Sequence, residues 1–497
     1  EDIVQRVKAI RERALERGIK DDPYILSTLL DAYATADPSG AYEKVEDVLE
    51  MLDKIETIED DKTVVYNTAL KLFKESKTEE GIAQAENLFE RMKSKGMADA
   101  VTYSTMVTLY ANQKSDQSSL LRAEKLLQDM KEVSLVPTTH TMNAVMNMWG
   151  RYGQLSKAAE VLDQMEQAYE DGNHNFSPNV ISYTTLMSGW VKSKHPERIK
   201  KSKELFERMV AMYEAGNKEA QPNLFSYVTL VDGIVKSGEA GAAERAEEIV
   251  RNMYHDYKMG KSPVKPNAHM LATVISCWNK SGERDAGERA ETLLDWLIEI
   301  YQQEKDKSLQ PNEFAFTSAI AAWAKSRKFG KAACARATLD KMASLYKSGI
   351  VETPPNGYCY TAVINACAYC EDDAIEKRDA LKIFVETYKE VNNRTDLHPN
   401  HVFFKTVLTA LRKLLPRSEQ RKSAVSTVFK KCIECGMCDS SVLRSLESAL
   451  SKDELTEVLG HEAVAANGRI DNAKIPPEWK RNVKDSSRPA PYTRFKS

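Results

Sequence analysis

A Pro-Asn pair recurs at almost constant spacing along the chain, and this period constrains the fold more than any other feature. Six copies end at Asn179, Asn223, Asn267, Asn312, Asn356 and Asn400. Successive copies lie 44, 44, 45, 44 and 44 residues apart. A fixed period of this length is typical of proteins whose structural repeats stack in a line and bury their apolar faces against their neighbours.

The repeat Val180–Asn223 contains two amphipathic helical patterns separated by a polar segment. In both patterns, apolar residues recur at the three- and four-residue spacing of one helix face. The first set is Tyr183, Leu186, Met187 and Trp190, and the second set is Leu205, Phe206, Met209 and Tyr213. Pro196 lies in the segment between them and favours a turn there. We therefore predict one antiparallel helix pair per repeat.

Other positions recur with the same period and predict the core. The first helix carries a bulky residue in each repeat, which is Trp at Trp149, Trp190, Trp278 and Trp323. The second helix carries a Met, usually with an Ala seven residues before it, as at Met130. We predict that these positions are buried between helices. The predicted fold class is all-α, a right-handed α-solenoid superhelix of stacked antiparallel helix pairs.

The repeat pattern also predicts the domain organisation. Residues 1–22 align with a second helix, so we expect them to be half of a truncated repeat whose first half lay upstream. Residues 23–440 are predicted to contain ten repeats, and residues 441–466 to form helices that cap the last one. Residues 467–497 are polar, basic and rich in proline, so we expect a tail that is disordered or lies on the surface.

Composition and motifs argue against several classes of protein. No apolar run approaches the roughly 20 residues of a membrane span, so no membrane association is predicted. The net charge of −3 gives no general attraction to nucleic acid, and any binding of this kind must come from local charges. Nucleotide-binding, zinc-protease and deaminase motifs are absent from the sequence. We therefore predict no catalytic residues and no cofactor.

The cysteines are the one group whose spacing resembles that of metal ligands. Cys432, Cys435 and Cys438 are each three residues apart, and Cys367 and Cys370 show the same spacing one repeat earlier. Cys432, however, occupies the Met position of the second helix, and the fourth cysteine of an iron–sulfur signature is missing. Packing is the favoured interpretation, so no metal site is predicted. Eight dispersed cysteines suit a reducing compartment.

Three segments resemble pentatricopeptide repeats, and the resemblance extends over about residues 23–440. They are YNTALKLF at Tyr66–Phe73, AENLFERMKSKGMAD at Ala85–Asp99 and VTYSTMVTLYA at Val101–Ala111. The repeats of 44 residues are longer than the family's common unit and suggest a long variant. The resemblance implies an organellar protein that binds single-stranded RNA, with one nucleotide per repeat and the strand running parallel to the protein.

The family's pattern also implies which residues contact the bases. The residue after the first-helix aromatic and the residue that closes the repeat act together on one base edge. The pairs are Asn67 with Asp99 for U, Asn143 with Asn179 for C, and Thr184 with Asn223, Thr317 with Asn356 and Thr361 with Asn400 for A. The expected partial target is 5′-U-x-C-A-x-x-A-A-3′. The alternative is that the closing Asn, Asp and Thr residues only cap the next helix.

A flat or apolar residue stands near the start of each first helix and is a candidate for base stacking. The strongest candidates are His140, Ile181, Phe225, His269, Phe314 and Tyr358, and Val64, Val101 and Val402 occupy the same position. Apolar faces at repeat spacing can stack on successive unpaired bases. The alternative is packing between repeats or against the helix entrance. We name these nine residues the stacking column.

A basic residue stands two positions after the bulky first-helix residue in six repeats. We name this set the cation column: Arg151, Lys192, Lys236, Lys280, Lys325 and Lys413. A regular row of cations can follow a phosphate backbone. The alternative is that a basic side chain at the end of a helix complements the helix dipole.

Two functions from different classes fit these patterns. The first is a non-catalytic, sequence-selective binder of single-stranded RNA in a mitochondrion or plastid, acting in RNA processing, stability or translation. The second is a helical scaffold for protein contacts or a constitutive subunit of an organellar ribosome, with RNA-processing or ribosomal proteins as partners. A positive surface along the first helices would favour RNA, and an apolar or acidic surface would favour a peptide.

Overall fold

The computed structural model describes residues 2–17, 22–36, 44–55, 59–76, 78–113, 117–371, 373–465 and 467–483. Within these ranges the chain forms 23 α-helices and no β-strand, apart from one isolated bridge between Val464 and Ile470. The all-α fold class is therefore confirmed. None of the helices in these ranges combines the length and apolar character needed to cross a bilayer.

The helices begin and end as follows. They are α1 (Asp2–Glu16), α2 (Pro23–Ala36), α3 (Val45–Asp53), α4 (Glu59–Ser76), α5 (Glu79–Ser94), α6 (Ala100–Asn112), α7 (Gln117–Glu132), α8 (Thr139–Arg151), α9 (Leu155–Glu170), α10 (Val180–Lys192), α11 (Arg198–Glu214), α12 (Leu224–Ser237), α13 (Ala242–Lys258), α14 (Ala268–Ser281), α15 (Ala286–Glu304), α16 (Glu313–Lys325), α17 (Lys331–Lys347), α18 (Gly357–Ala368), α19 (Ala374–Asn393), α20 (His401–Leu414), α21 (Glu419–Glu434), α22 (Ser440–Ala449) and α23 (Lys452–Leu459). Short 3₁₀ helices lie at His174–Phe176, Lys218–Ala220, Lys307–Leu309 and Pro477–Lys480.

The chain divides into two compact parts, Glu1–Gly233 and Ile234–Ser497. In the N-terminal part, the first helices α2, α4, α6, α8 and α10 pack side by side, and α5, α7, α9 and α11 each pack on the first helix before them. In the C-terminal part, α14, α16, α18, α20 and α22 pack in the same way, with α15, α17, α19 and α21 as second helices. Each part is thus a stack of helix pairs with the first helices in one layer.

The closing residues of the repeats start the first helices. The side chain of Asn267 accepts a hydrogen bond from the Met270 N–H at 2.8 Å, and that of Asn400 accepts one from the Phe403 N–H at 2.9 Å. Asp99, Thr138, Asn179, Asn312 and Asn356 cap their helices in the same way. An N-cap side chain of this kind satisfies one of the free N–H groups at the start of a helix. Capping therefore explains the Asn column without any ligand.

Three of the four Trp residues predicted for the core are buried, and the fourth is not. Trp149, Trp278 and Trp323 are buried, and the Met column, represented by Met130 and Met342, is fully buried. Trp190 is only half-buried, with its ring 5.5 Å from the His195 ring in the following turn. The prediction of a core position was therefore wrong for Trp190.

The reason for the difference is a hydrogen bond between repeats that the other Trp residues make. The indole N–H of Trp278 donates to Glu247 at 3.0 Å, and that of Trp323 donates to Glu291 at 2.8 Å. Trp149 donates to Glu124 at 2.9 Å in the same way. Each of these Glu residues directly follows the recurrent Ala of the preceding second helix, and in the repeat before Trp190 this position is Ala159. The Trp190 indole consequently lacks the carboxylate that holds its counterparts inside.

The first part of the C-terminal tail lies on the last repeats. The Trp479 ring contacts the Phe429 ring edge-on at 5.8 Å, and the Trp479 carbonyl accepts the Cys438 N–H at 2.9 Å. The Asn482 N–H donates to the Gly436 carbonyl at 3.0 Å. Residues 467–483 therefore pack on the surface, the second of the two states expected for the tail, while residues 484–497 lie outside the described residues.

The cysteine cluster is packed rather than open to solvent. Cys432 and Cys438 are buried, and Cys435 is half-buried. A hydrogen bond with Cys438 together with burial raises the pKa of Cys432, which keeps the thiol protonated, whereas metal ligands are thiolates. In the described part of the chain, no group of three or more His, Cys, Asp or Glu side chains is placed to hold a metal ion.

Candidate nucleic-acid interface

The stacking column lies on the surface. Eight members are the second residue of their first helix, and Val64 is the sixth residue of α4. Tyr358 is 65% exposed, Phe225 is 61% exposed and Val64 is 39% exposed. The residues beside them along the helix, such as Cys359 and Tyr360, are buried. Val101, Ile181, Phe314, Val402, His140 and His269 are also exposed. These side chains are therefore reachable from solvent, as a role in stacking requires.

The structure brings Asn67 and Asp99 into direct contact, although they are 32 residues apart. The Asn67 Nδ2 donates to both carboxylate oxygens of Asp99, at 3.2 and 3.3 Å. The Asn67 Oδ1 accepts the hydroxyl of Thr102 at 2.8 Å. Asp99 also caps α6 through the Thr102 N–H. The Asp99 carboxylate therefore caps α6 and bonds the Asn67 amide at the same time.

Asn143 and Asn179 form a second direct pair. The Asn143 Nδ2 donates to Asn179 Oδ1 at 3.1 Å, and the same oxygen caps α10 through the N–H groups of Ile181 and Ser182. Asn143 is only 6% exposed, and its Oδ1 has no hydrogen-bond partner. A buried acceptor left without a donor is costly, and in a native structure it often marks a place where a ligand or water binds.

The three Thr-Asn pairs are arranged differently. The hydroxyls of Thr184, Thr317 and Thr361 donate to backbone carbonyls four residues earlier in their own helices, at 2.8, 2.7 and 2.6 Å. Their oxygen lone pairs remain as acceptors. The Asn356 side chain also donates to Glu313 Oε2 at 3.1 Å, so this closing residue is bonded to the first residue of α16, in the repeat that it closes.

In one repeat a member of the stacking column and the pair predicted to contact a base line the same cavity. The cavity has a volume of about 160 Å³ and is lined by Tyr358, Thr361 and Asn400 together with the ring of Phe403. An exposed aromatic ring, a hydroxyl and an amide therefore face a common space. A flat ligand with hydrogen-bonding edges could contact all three groups there.

All members of the cation column except Lys413 are exposed, and Arg151 and Lys413 also contact the preceding repeat. Lys192, Lys280 and Lys325 are exposed, and Lys236 is exposed as well. Arg151 instead donates to the carbonyls of Ala111 and Gln113, at the end of the preceding first helix. For Arg151 the geometry favours the helix-end alternative, because its guanidinium satisfies carbonyls that the helix leaves free.

Lys413 also contacts the preceding repeat. Its ammonium lies 3.4 Å from the centre of the Tyr369 ring. Burial, with a smaller contribution from Arg412, lowers the pKa of Lys413. An ammonium held over a ring and partly removed from water is a weaker candidate for phosphate than an exposed one.

Sequence reasoning missed the third residue of the first helix, which contacts the base-contacting residue of the repeat before it in two places. Thr102 makes this contact with Asn67, and the Cys359 sulfur lies 3.2 Å from the Thr317 hydroxyl. The available signal was the hydroxyl three residues after the closing residue, which is the pattern of a capping box.

Comparisons with known proteins match the repeats to a family. A model of the pentatricopeptide repeat domain matches residues 87–152, and a model of the single repeat matches residues 140–168. The matched residues, 87–168, are therefore similar to pentatricopeptide repeats. One pentatricopeptide repeat-containing protein of Arabidopsis thaliana is 29% identical over 99 residues, and a second, named as mitochondrial, is 30% identical over 119 residues. These matches cover 20% and 24% of this chain and only 16% and 22% of the relatives.

Solved structures of a pentatricopeptide repeat protein also align with the chain. PPR10 in complex with an 18-nt psaJ RNA element is 18% identical with a TM-score of 0.38, and the alignment covers 94% of this chain and 64% of PPR10. A second structure, of PPR10 from maize, is 16% identical with a TM-score of 0.32, and that alignment covers 92% of this chain and 75% of PPR10.

Proposed function

We propose that this chain is a pentatricopeptide repeat protein that binds single-stranded RNA, with one base per repeat, and that it does so without catalysis. The observation that carries the proposal is the stacking column, a row of exposed apolar and flat side chains that recurs near the start of the first helices. Exposed large apolar side chains are common on any surface, but a set confined to one position of a repeat is a mark of recognition.

The groups around the column suit bases better than peptide side chains. Asn67 and Asn143 offer amide groups one turn of helix after the stacking residues Val64 and His140, and Asp99 offers a carboxylate immediately before α6. Such groups can bond the Watson–Crick edge of a base whose face rests on the neighbouring apolar residue. Stacking of this kind is worth roughly 1–3 kcal/mol per base and accepts any base, so the polar pair supplies the selectivity.

The exposed cations stand at the other end of the same helices. Lys192 and Lys325 each follow their stacking residue by eleven positions, which corresponds to about 16 Å along the helix axis. Cations repeated at that distance can neutralise the backbone of a strand whose bases lie at the helix starts. The net charge of −3 means that this attraction is local to the first helices.

The proposed setting is an organelle, mitochondrion or plastid, where the protein would act in RNA processing, stability or translation. A curated relative carries the word mitochondrial in its name. The expected partial target, in the order of the repeats, is 5′-U-x-C-A-x-x-A-A-3′.

The proposal is tested by replacing Tyr358 with Ala and measuring binding to an RNA oligonucleotide that carries the partial target with the x positions randomised. Loss of the ring should weaken binding by roughly 1–3 kcal/mol, or about 5- to 150-fold, because one base loses its stacking partner. The thermal stability should stay unchanged, since the ring is exposed.

Ile375→Ala is the matched control. Ile375 is 58% exposed and lies on the second helix α19, away from the stacking column. If the two variants bind RNA equally, the column does not stack on bases. If the parent binds no RNA, the scaffold function becomes the better proposal, and the exposed apolar column would then be the surface that holds a peptide.

A further inference from the structure

In three repeats, a Glu carboxylate joins the buried Trp of a first helix to a cation on a second helix. The Trp149 indole donates to Glu124 Oε1 at 2.9 Å, and the Lys157 ammonium donates to the same oxygen at 2.7 Å. The other two sets are Trp278 with Glu247 and Arg251, and Trp323 with Glu291 and Lys341. Each carboxylate satisfies the indole N–H and a positive charge together.

The repeat of α10 has the same Trp without this carboxylate. Ala159 stands where the other three repeats have Glu, and Trp190 is only half-buried. Among the residues that the structure describes, the Trp190 indole N–H has no hydrogen-bond partner. A half-exposed donor of this kind is available to an acceptor that comes from outside the chain.

A second difference keeps the Trp190 ring towards the surface. The Trp323 ring packs on Gly287, where an added Cβ would lie 2.5 Å from a ring atom. Gly287 stands three residues before the recurrent Ala of its helix, and Leu155 holds this position before Trp190. Leu155 is buried, and its side chain reaches to 2.8 Å from the place of a Cβ on Gly189. Leu155 therefore fills the space in which the ring would otherwise pack.

His195 adds a second donor beside the indole. Its ring lies 5.5 Å from the Trp190 ring and is nearly perpendicular to it, at 79°. The His195 Nδ1 accepts the Glu197 N–H at 3.2 Å. The proton of the neutral imidazole is therefore on Nε2, which can donate to a ligand.

The turn after α10 is positively charged. Lys194 is exposed and Arg198 is half-buried, and neither has an acidic partner in the described ranges. Glu197, also on this turn, lies 3.9 Å from the Lys200 ammonium. We name four residues the indole site: Trp190, Lys194, His195 and Arg198.

We propose that the indole site binds a carboxylate on an acidic segment of a partner protein. The indole N–H and the imidazole N–H can donate to its oxygens, and Lys194 and Arg198 can neutralise its charge. The helix α11 begins at Arg198 without a side-chain cap, and the positive end of a helix dipole favours an anion. The acid of the partner would thereby take the part that Glu124, Glu247 and Glu291 play inside the chain.

An RNA phosphate is the competing ligand, because Lys192 of the cation column stands two residues after Trp190. The carboxylate is favoured, since a carboxylate meets the indole in the three counterpart repeats. The inference goes beyond the proposed function and does not depend on it. Trp190 lies nine residues after the stacking residue Ile181, about 14 Å along the axis of α10.

The test measures binding of a fluorescent peptide of alternating Glu and Ala residues, with a peptide of alternating Gln and Ala as its uncharged counterpart. The parent protein should bind the Glu peptide roughly 10-fold more tightly, because its acceptors are charged. Trp190→Phe keeps an aromatic ring but removes the indole N–H, so it should weaken Glu-peptide binding by roughly 3- to 10-fold. Its affinity for RNA that carries the partial target should stay unchanged.

Ala159→Glu supplies the missing carboxylate from the chain itself. This carboxylate should accept the Trp190 indole N–H, as Glu124 does for Trp149, and weaken Glu-peptide binding by roughly 3- to 10-fold. Acrylamide should quench the tryptophan fluorescence less, because the indole is then held inside. Gln164→Glu is the matched control, since it adds the same charge at an exposed position of α9 and should leave both measurements close to those of the parent.

Equal affinities of the parent for the Glu and Gln peptides would overturn the inference. It is also overturned if Trp190→Phe leaves Glu-peptide binding unchanged and Ala159→Glu weakens it no more than Gln164→Glu does. If Trp190→Phe and Ala159→Glu instead weaken RNA binding and leave peptide binding intact, the site binds phosphate and the carboxylate proposal is wrong. A parent that binds the Glu peptide but no RNA overturns the proposed function alone.

Discussion

The first helices carry two columns of large apolar residues whose surroundings are opposite. Trp278, in the bulky column, is 1% exposed, and its indole is bonded to Glu247 of the preceding helix. Tyr358, in the stacking column, is 65% exposed and borders a cavity. Both columns keep the same period in the sequence. The period alone therefore shows that a position recurs in each repeat. The burial of its side chain indicates folding, and its exposure is what a role in recognition requires.

The interior column is defined by more than apolar contact. Tyr110 donates to Glu86 at 2.7 Å, just as Trp278 donates to Glu247. The acceptor belongs to the repeat before the donor, so each bond joins two repeats. Stability in a linear array depends on such contacts between neighbours. The exposed members of the stacking column are not buried between repeats in this way, and their side chains are available to a ligand.

The largest effect is expected for Trp278→Ala, which removes one member of the interior column. Loss of a buried Trp should cost about 3–5 kcal/mol of the free energy of unfolding, because it leaves a cavity and takes a bond from Glu247. Denaturant unfolding measures the loss, and hydrogen exchange should show loosening in α13 and α14 on both sides of the cavity.

Trp190→Ala is the matched control, since Trp190 stands at the same position but is half-buried and has Ala159 where its counterparts have Glu. It should cost clearly less than Trp278→Ala. Equal losses in the two variants would mean that the hydrogen bond to Glu and the difference in burial do not matter for stability, and the distinction between the columns would lose its physical basis.

The next effect is expected at the helix caps beside the exposed column, in the variant Asn223→Asp. The Asn223 Oδ1 accepts the Ser226 N–H at 3.0 Å, and Asp caps a helix as well as Asn does, so stability should hold. A carboxylate can only accept hydrogen bonds, and the Watson–Crick edge of guanine presents more donors than that of adenine. The preference at this position should move from A towards G by about 1–3 kcal/mol, measured with paired oligonucleotides at one salt concentration.

Asn356→Asp is the informative counterpart of this variant. The Asn356 amide donates to Glu313 at 3.1 Å, and a carboxylate there would face another carboxylate. Asn356→Asp should therefore lose stability, and Glu313→Gln should recover it. An unchanged ranking of A and G in Asn223→Asp would leave the Asn column with capping as its only role.

Much of the fold followed from the sequence because its determinants are local. The Pro-Asn pairs mark helix starts, since an Asn side chain caps the residues immediately after it. The half-burial of Trp190 depends on Ala159, a residue of the preceding repeat, so the pattern of Trp190's own helix could not predict it. The contact of Thr102 with Asn67 also joins two repeats, and it depends on a side-chain orientation that spacing does not contain.

The cation column was predicted from spacing alone, and spacing could not separate its members. Arg151 and Lys192 stand at the same helix position, yet the guanidinium of Arg151 is long enough to reach the carbonyls of Ala111 and Gln113. Lys413 differs from Lys192 because its ammonium lies over the ring of Tyr369, a residue of the preceding repeat. The neighbouring repeat therefore decides which cations stay available.

The smallest effect per residue is expected for the exposed members of the cation column. Replacing Lys192, Lys280 and Lys325 with Gln should weaken binding to all single-stranded RNAs alike, because phosphates carry no sequence information. The slope of log K against log salt should fall by ~0.7 for each phosphate group that the variant no longer neutralises. Arg151 and Lys413 are left in place, since their bonds to the preceding repeat would confuse the result.

The control for this triple variant is Lys131, Lys347 and Lys389 replaced with Gln, which removes the same charge from exposed positions on second helices. A general loss of positive charge would lower the salt slope equally in both proteins, whereas phosphate binding at the first helices would lower it only in the first. Equal salt slopes in the two triple variants would assign the cation column the role that the geometry already indicates for Arg151, which is the stabilisation of helix ends. The stacking column would then have to bind RNA without a row of phosphate-binding cations on the same helices.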